Sequence, residues 1–115
     1  MKLKKQYDCN LVMMNDLIGG KWKLRILWHI MNGDNRFSML EKNIDSITPK
    51  VLMSQLNEME ESGLILKHVL VSTPPKVVVY EINPEYSGIC EIVNIAHSFS
   101  RMYGTKNNID ILTKK

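Results

Sequence analysis

The stretch FSMLEKNIDSITPKVLMSQLNEMEESG, from Phe37 to Gly63, decides the architecture of this chain. Phe37, Leu40 and Ile44 recur at helical spacing and mark a short helix, which the polar pair Asp45-Ser46 interrupts. Thr48 has the side chain of a helix N-cap. Pro49 follows at the first helical position, where its missing N–H costs nothing. Leu52, Leu56 and Met59 then line one face of a longer helix, and Gly63 stands where a left-handed residue closes it. A short helix, a tight turn and a well-capped second helix is the order of a helix-turn-helix.

Upstream, Leu11, Met14 and Ile18 share one face of a helix predicted over Asp8 to Ile18, and Gly19-Gly20 breaks it. Trp22, Ile26 and Ile30, with Leu27 beside them, define a second helix, with Lys21, Arg25 and His29 expected as its polar stripe. The composition of Asn32 to Asn35 is that of a turn. Downstream of Gly63 the period changes from 3.6 to 2. Leu64 to Val71 and Val77 to Ile82 read as strands joined at Thr73-Pro74-Pro75, with Lys76 close to the tip. Asn83-Pro84 repeats the cap-and-proline start, so a last helix is expected from about Pro84 to Tyr103, ended by Gly104. It has two apolar stripes: Tyr86, Ile89, Val93 and Ala96 on one face, Ile92, Ile95, Phe99 and Met102 on another. A helix apolar on two faces is buried on two faces, and the second one asks for a partner chain.

The predicted fold is therefore an α+β winged helix-turn-helix, mainly helical, with a two-stranded wing and a long C-terminal dimerisation helix. Its 115 residues suit a single domain over 1–115, with a core at about 9–103 and loose ends at Met1 to Lys5 and Lys114-Lys115. A hydrophobic fraction of 44% and a charged fraction of 23% exclude a disordered chain. No apolar run approaches the ~18 residues of a membrane span. Lys2, Lys4 and Lys5 lead into Gln6-Tyr7-Asp8, not into a signal peptide's apolar core, so a cytoplasmic placement is expected. Cys9 and Cys90 are too distant in sequence for a metal knuckle or a redox pair of the CxxC kind, and too few for a disulfide-stapled fold. The net charge of +3 permits a polyanionic partner without establishing one.

A helix of this kind fits the major groove of B-DNA and presents side chains to base edges. With Leu52, Leu56 and Met59 turned inward, the outward set is Lys50, Met53, Ser54 and Asn57. Lys50 suits a phosphate or a guanine, Asn57 an adenine, Ser54 a base or phosphate, and Met53 a thymine methyl. Thr48 at the helix start, Arg36 ahead of the helix-turn-helix and Lys76 in the wing complete the DNA-facing candidates. Arg36 is equally suited to pairing with a carboxylate such as Glu60. The dimer contact is expected through Leu11 on the first helix and Ile92, Ile95, Phe99 and Met102 on the last. The expected partner is a near-palindromic DNA operator read by a homodimer; the other class of reading is a winged helix that binds protein and no DNA. Enzymatic readings lack residues. Gly19-Gly20-Lys21 has none of the spacing of a phosphate loop, His29, His68 and His97 are scattered, with His29 and His97 read as polar-face or core residues, and no catalytic set emerges, so neither metal nor cofactor is expected. Trp22 and Trp28 read as core and interface.

These residues resemble the HxlR-type transcriptional regulators, a winged-helix family related to the MarR regulators. The resemblance runs from Cys9 to about Tyr103. Its most specific piece is Ile18-Gly19-Gly20-Lys21-Trp22 with Ile26-Leu27 after it. Gly33, Arg36-Phe37 and Leu40, then Ile47-Thr48, Leu52, Leu56, Glu58, Glu60 and Gly63-Leu64, and finally Tyr80 and Ile82 continue the match. The chain departs from the pattern at Pro49, at Asn57 where an Arg is frequent, around Lys76 in the wing, at Phe99 where a Trp is usual, and at Asn10. The resemblance implies a dimeric DNA-binding regulator. It also implies a role for Cys9, which resembles the N-terminal cysteine of redox- and electrophile-sensing members. Local chemistry permits this, since a helix start and the nearby Lys4 and Lys5 favour a thiolate while Asp8 opposes it. The competing reading of Cys9 is a small residue packed between subunits, and Cys90 reads as buried filler. No effector is identifiable from the residues.

Overall fold

A computed structural model of the chain describes residues 3–112. Of the expected loose ends, Met1, Lys2, Lys114 and Lys115 lie outside the described residues; Lys4 is held, its backbone N–H donating to the Tyr7 hydroxyl at 2.9 Å. Five α-helices and one hairpin follow in the order α1 (Asn10–Ile18), α2 (Lys23–Met31), α3 (Phe37–Asn43), α4 (Pro49–Glu61), β1 (Ile65–Val71), β2 (Val77–Ile82) and α5 (Gly88–Lys106). A 3-10 turn at Pro84–Tyr86 links β2 to α5. This is the winged helix-turn-helix expected from the sequence.

One core serves every element; α1 contributes Ile18 to it and packs Met14 and Leu17 against it. Ile26 and Leu27 of α2, Leu40 of α3, Leu52, Leu56 and Met59 of α4 and Ile65 of β1 are sealed from solvent. Ile89 and Val93 bring α5 against the same cluster. Between α3 and α4, Ile44 and Ile47 are both buried, so the turn is pinned on each side of Ser46, which takes a left-handed φ of 69°. Gly63 closes α4 at φ 84°, with its own N–H donating to Glu60 O and the Leu64 N–H to Met59 O, both at 3.0 Å. That pair of bonds satisfies carbonyls a helix end otherwise leaves open. At the other break Gly19 is needed for closeness, because a Cβ there would lie 2.2 Å from the Asn15 carbonyl oxygen.

The wing is antiparallel, pairing Ile65 with Ile82 and Lys67 with Tyr80, with a bulge between Val69 and Val71. Its root is tied to the helices by the Tyr80 N–H donating to Asn35 O (2.8 Å) and the Asn83 amide donating to Gly63 O (2.8 Å).

Four local expectations need correction. α1 starts at Asn10, with Cys9 at its N-cap and no side-chain cap bond. Asn83-Pro84 does start a helical turn, its Asn83 Oδ1 accepting the Glu85 N–H at 3.0 Å, but that turn stops at Tyr86. α5 begins at Gly88, so Tyr86 is exposed and off the inner stripe. Gly104 does not end α5; it is buried within it, and the helix runs to Lys106. The closing left-handed residue is Asn108 (φ 57°), with the Ile109 N–H donating back to Gly104 O at 2.8 Å. Finally, of the two readings of His29, polar face or core, the structure takes the core. The residue is 2% exposed, because Asp34 supplies a carboxylate at 2.8 Å inside the fold.

Candidate nucleic-acid interface

α4 has two faces with opposite fates. Leu52, Leu56 and Met59 anchor it, while Lys50, Met53, Ser54 and Asn57 are all exposed along the opposite side. The spacing of this outward set, i, i+3, i+4 and i+7, makes one continuous ridge. Thr48 caps the helix as expected, its Oγ1 accepting the Val51 N–H at 3.2 Å. The Thr48 oxygen thus accepts from the helix, and its hydroxyl hydrogen is left to donate elsewhere. The first turn of α4 holds no acidic residue, so the positive end of the helix stays unneutralised beside Lys50. Arg36 lies at the N-cap of α3 and is exposed. Among the described residues no ion pair joins it to Glu60. Lys76 is exposed in the link between the two strands.

Two polar networks, neither legible beforehand, set the pose of this ridge. Lys23 Nζ donates to Glu58 Oε1 at 3.0 Å, pairing α2 with α4, and the Lys23 side chain is only 6% exposed. The second network runs from α2 into α3. His29 Nδ1 lies 2.8 Å from Asp34 Oδ2, and Asp34 Oδ1 accepts the Asn43 amide at 3.0 Å. A lysine within an amphipathic helix and a histidine five residues ahead of an aspartate look like surface residues in one dimension. In the sequence Glu58 stands out only as part of the family pattern. In the wing, burial pushes the Tyr80 phenol up, and the Glu60 carboxylate adds to the effect.

The residues expected at the partner contact are apolar and exposed. Leu11 (76% exposed), Ile95 (68%) and Phe99 (57%) project into solvent with Ile92 and Met102. Val12, Met13 and Tyr103, which lie outside the stripes read from the sequence, are exposed as well, and the Phe99 and Tyr103 ring centroids lie 6.1 Å apart. Cys9 is an exposed free thiol; Cys90 is half-buried against the core, as filler would be. Among the described residues no cluster of three His, Cys, Asp or Glu could hold a metal, and no helix is long and apolar enough to cross a membrane.

With this geometry established, comparison with known families matches residues 17–108 to the HxlR-like helix-turn-helix family. The chain belongs to that family. An uncharacterized HTH-type transcriptional regulator of Bacillus subtilis, YtcD, is 38% identical over 107 residues, covering 88% of this chain and 83% of the relative. A crystal structure of YtcD superposes with a TM-score of 0.74 at 33% identity, covering 83% of this chain and 96% of that one. The redox regulator HypR in its oxidized form gives a TM-score of 0.72 at 29% identity, over 90% of this chain and 100% of that one. The HxlR-like family is one of DNA-binding regulators related to MarR proteins, and this chain is accordingly a transcriptional regulator, not an enzyme.

Proposed function

We propose that this HxlR-like chain acts in the cytoplasm as a homodimer that binds a near-palindromic operator sequence-specifically. The observation that carries this reading is the pairing of two unpartnered faces on one rigid core. α4 exposes Lys50, Met53, Ser54 and Asn57, and the first and last helices expose Leu11, Ile92, Ile95, Phe99 and Met102. A second copy seated on the apolar face presents two α4 helices, and recognition helices about 34–36 Å apart meet successive major grooves on one side of DNA. Arg36, Lys76 and the Thr48 hydroxyl hold the backbone, while Lys50, Met53, Ser54 and Asn57 read or flank the bases. Selection of bound sequences from a random DNA pool, followed by binding assays across a salt series, tests the reading. The expected result is a two-fold-symmetric site whose affinity falls steeply with salt. Binding that ignores both sequence and salt refutes it.

The redox part of the reading rests on Cys9. Its thiol is exposed at the N-cap of α1, the helix on which Leu11 is exposed, and HypR, a similar structure, is a redox regulator. Diamide would take two electrons and two protons from the Cys9 thiols of two subunits, joining them as a disulfide and shifting α1 and the α4 spacing. DNA binding titrated with diamide should respond in wild type and in Cys90→Ser but not in Cys9→Ser. An equal response in wild type and Cys9→Ser removes Cys9 from the mechanism.

A further inference from the structure

Half-buried Asn83 ties the end of α4 to the start of α5, and it lies on neither the α4 ridge nor the outer stripe of α5. Its backbone N–H donates to Leu64 O at 2.9 Å and its side-chain amide to Gly63 O at 2.8 Å. Those two residues are where α4 passes into the wing. In the other direction its Oδ1 accepts the Glu85 N–H at 3.0 Å and its carbonyl the Tyr86 N–H at 2.9 Å, shaping the turn that leads into α5. The Tyr86 ring lies against the same spot: a Cβ on Gly63 would stand 3.5 Å from its Cε2.

Farther along, α5 is held by packing. Ile89 and Val93 sit in the common core, and His97 stacks on Trp28 of α2 with ring centroids 4.0 Å apart. Apolar packing is non-directional, so it sets how close a helix lies more firmly than how it tilts. Hydrogen bonds are directional and weaken steeply when bent. The Asn83 bonds supply that direction at the end of α5 next to α4. The outer stripe is a lever arm away. From Gly88 to Met102 the axis runs about 20 Å, so a tilt of ~10° at the joint moves the far end of the stripe by roughly 3–4 Å.

We propose that Asn83 is the positioning residue that fixes the angle between α4 and α5, and with it the spacing of the two recognition helices in the dimer. The inference deepens the dimeric DNA-binding reading above and rests on it, so protein geometry and DNA preference are measured separately. The decisive variant is Asn83→Asp. It keeps the Oδ1 acceptor for the Glu85 N–H and both backbone bonds, but sets an oxygen against Gly63 O in place of the donor. Nitroxide labels go on Glu61→Cys, exposed in the last turn of α4, in a Cys9→Ser, Cys90→Ser background, and pulsed dipolar spectroscopy reads the distance between subunits. The parent should give one narrow distance, and Asn83→Asp a distribution about twice as broad at the same sedimenting mass. On an operator that the wild type selects from a random pool, inserting two base pairs between the half-sites should weaken the wild type. Asn83→Asp should lose about tenfold of that preference. Ile65→Val, which trims the core at the wing root, should leave width and preference as they were. An unchanged width in Asn83→Asp, or equal broadening in Ile65→Val, overturns the positioning role. A broadened distance with the spacing preference intact overturns its link to DNA. A chain that shows the broadening and binds no DNA refutes the DNA reading and leaves the joint standing. A parent that sediments as a single chain refutes the dimer; the joint then stands or falls within one chain, by the same broadening between labels on Glu61→Cys and Ser98→Cys.

Discussion

α4 and α5 are both two-faced helices, and they differ in what the outer face displays. Each turns one apolar stripe into the common core, Leu52, Leu56 and Met59 from α4, Ile89 and Val93 from α5. Beyond that, α4 shows solvent a mixed ridge of lysine, methionine, serine and asparagine, whereas α5 shows isoleucine, phenylalanine and methionine. Hydration makes the first face comfortable in water and able to exchange that water for phosphates and base edges. The second has nothing to exchange but contact with another apolar surface. On the proposed reading, the same amphipathic principle yields one helix suited to nucleic acid and one suited to a second copy.

The sharpest way to break the comparison is to make the outer face of α5 resemble that of α4. Phe99→Glu should leave the fold intact by circular dichroism and shift the sedimenting mass from roughly twice 13.3 kDa to a single chain. Operator affinity should fall on the order of a hundredfold or more, because the second half-site is then no longer held nearby. An unchanged mass refutes the role given to that stripe. Next in size is the shared inner face. Leu56→Ala leaves a cavity where the side chain is fully buried and should cost about 2–5 kcal/mol in urea denaturation.

Smaller effects sharpen the contrast. Glu58→Gln leaves the buried Lys23 ammonium without its carboxylate and should cost about 1–3 kcal/mol in urea denaturation, weakening DNA binding alongside. Asn57→Ala should alter stability by less than about 0.5 kcal/mol while relaxing preference at one base pair by about 1–3 kcal/mol. Lys50→Ala, if its contact is a phosphate, should weaken all sequences alike and reduce the salt slope by about one. Least of all is the effect of Tyr80. Its phenol ionises less readily in the fold than in the unfolded chain, so its contribution is complete below about pH 10 and fades as pH rises through the raised folded value. Tyr80→Phe should flatten that alkaline decline in a denaturation series.

Much of this was written in local patterns. Thr48-Pro49 with Gly63 brackets α4, and the hydrogen bonds at both ends follow from those side chains and that backbone angle. The change of period after Gly63 announces the wing, and the doubled stripe of α5 announces an unpartnered face. Each signal is carried by residues within a few positions of one another. Where α5 starts and stops is less local, because Asn83-Pro84 is as good a beginning for one turn as for six, and Gly104, a terminator by residue type, lies within a helix that runs on to Lys106. His29 and Lys23 mark the boundary most clearly. Their residue types indicate solvent, and only partners brought in by the fold, Asp34 at 2.8 Å and Glu58 at 3.0 Å, make their burial tolerable. Local spacing determined the helices, the turn and the wing; tertiary packing alone decided which polar groups go inside, because their compensating charges come from other elements.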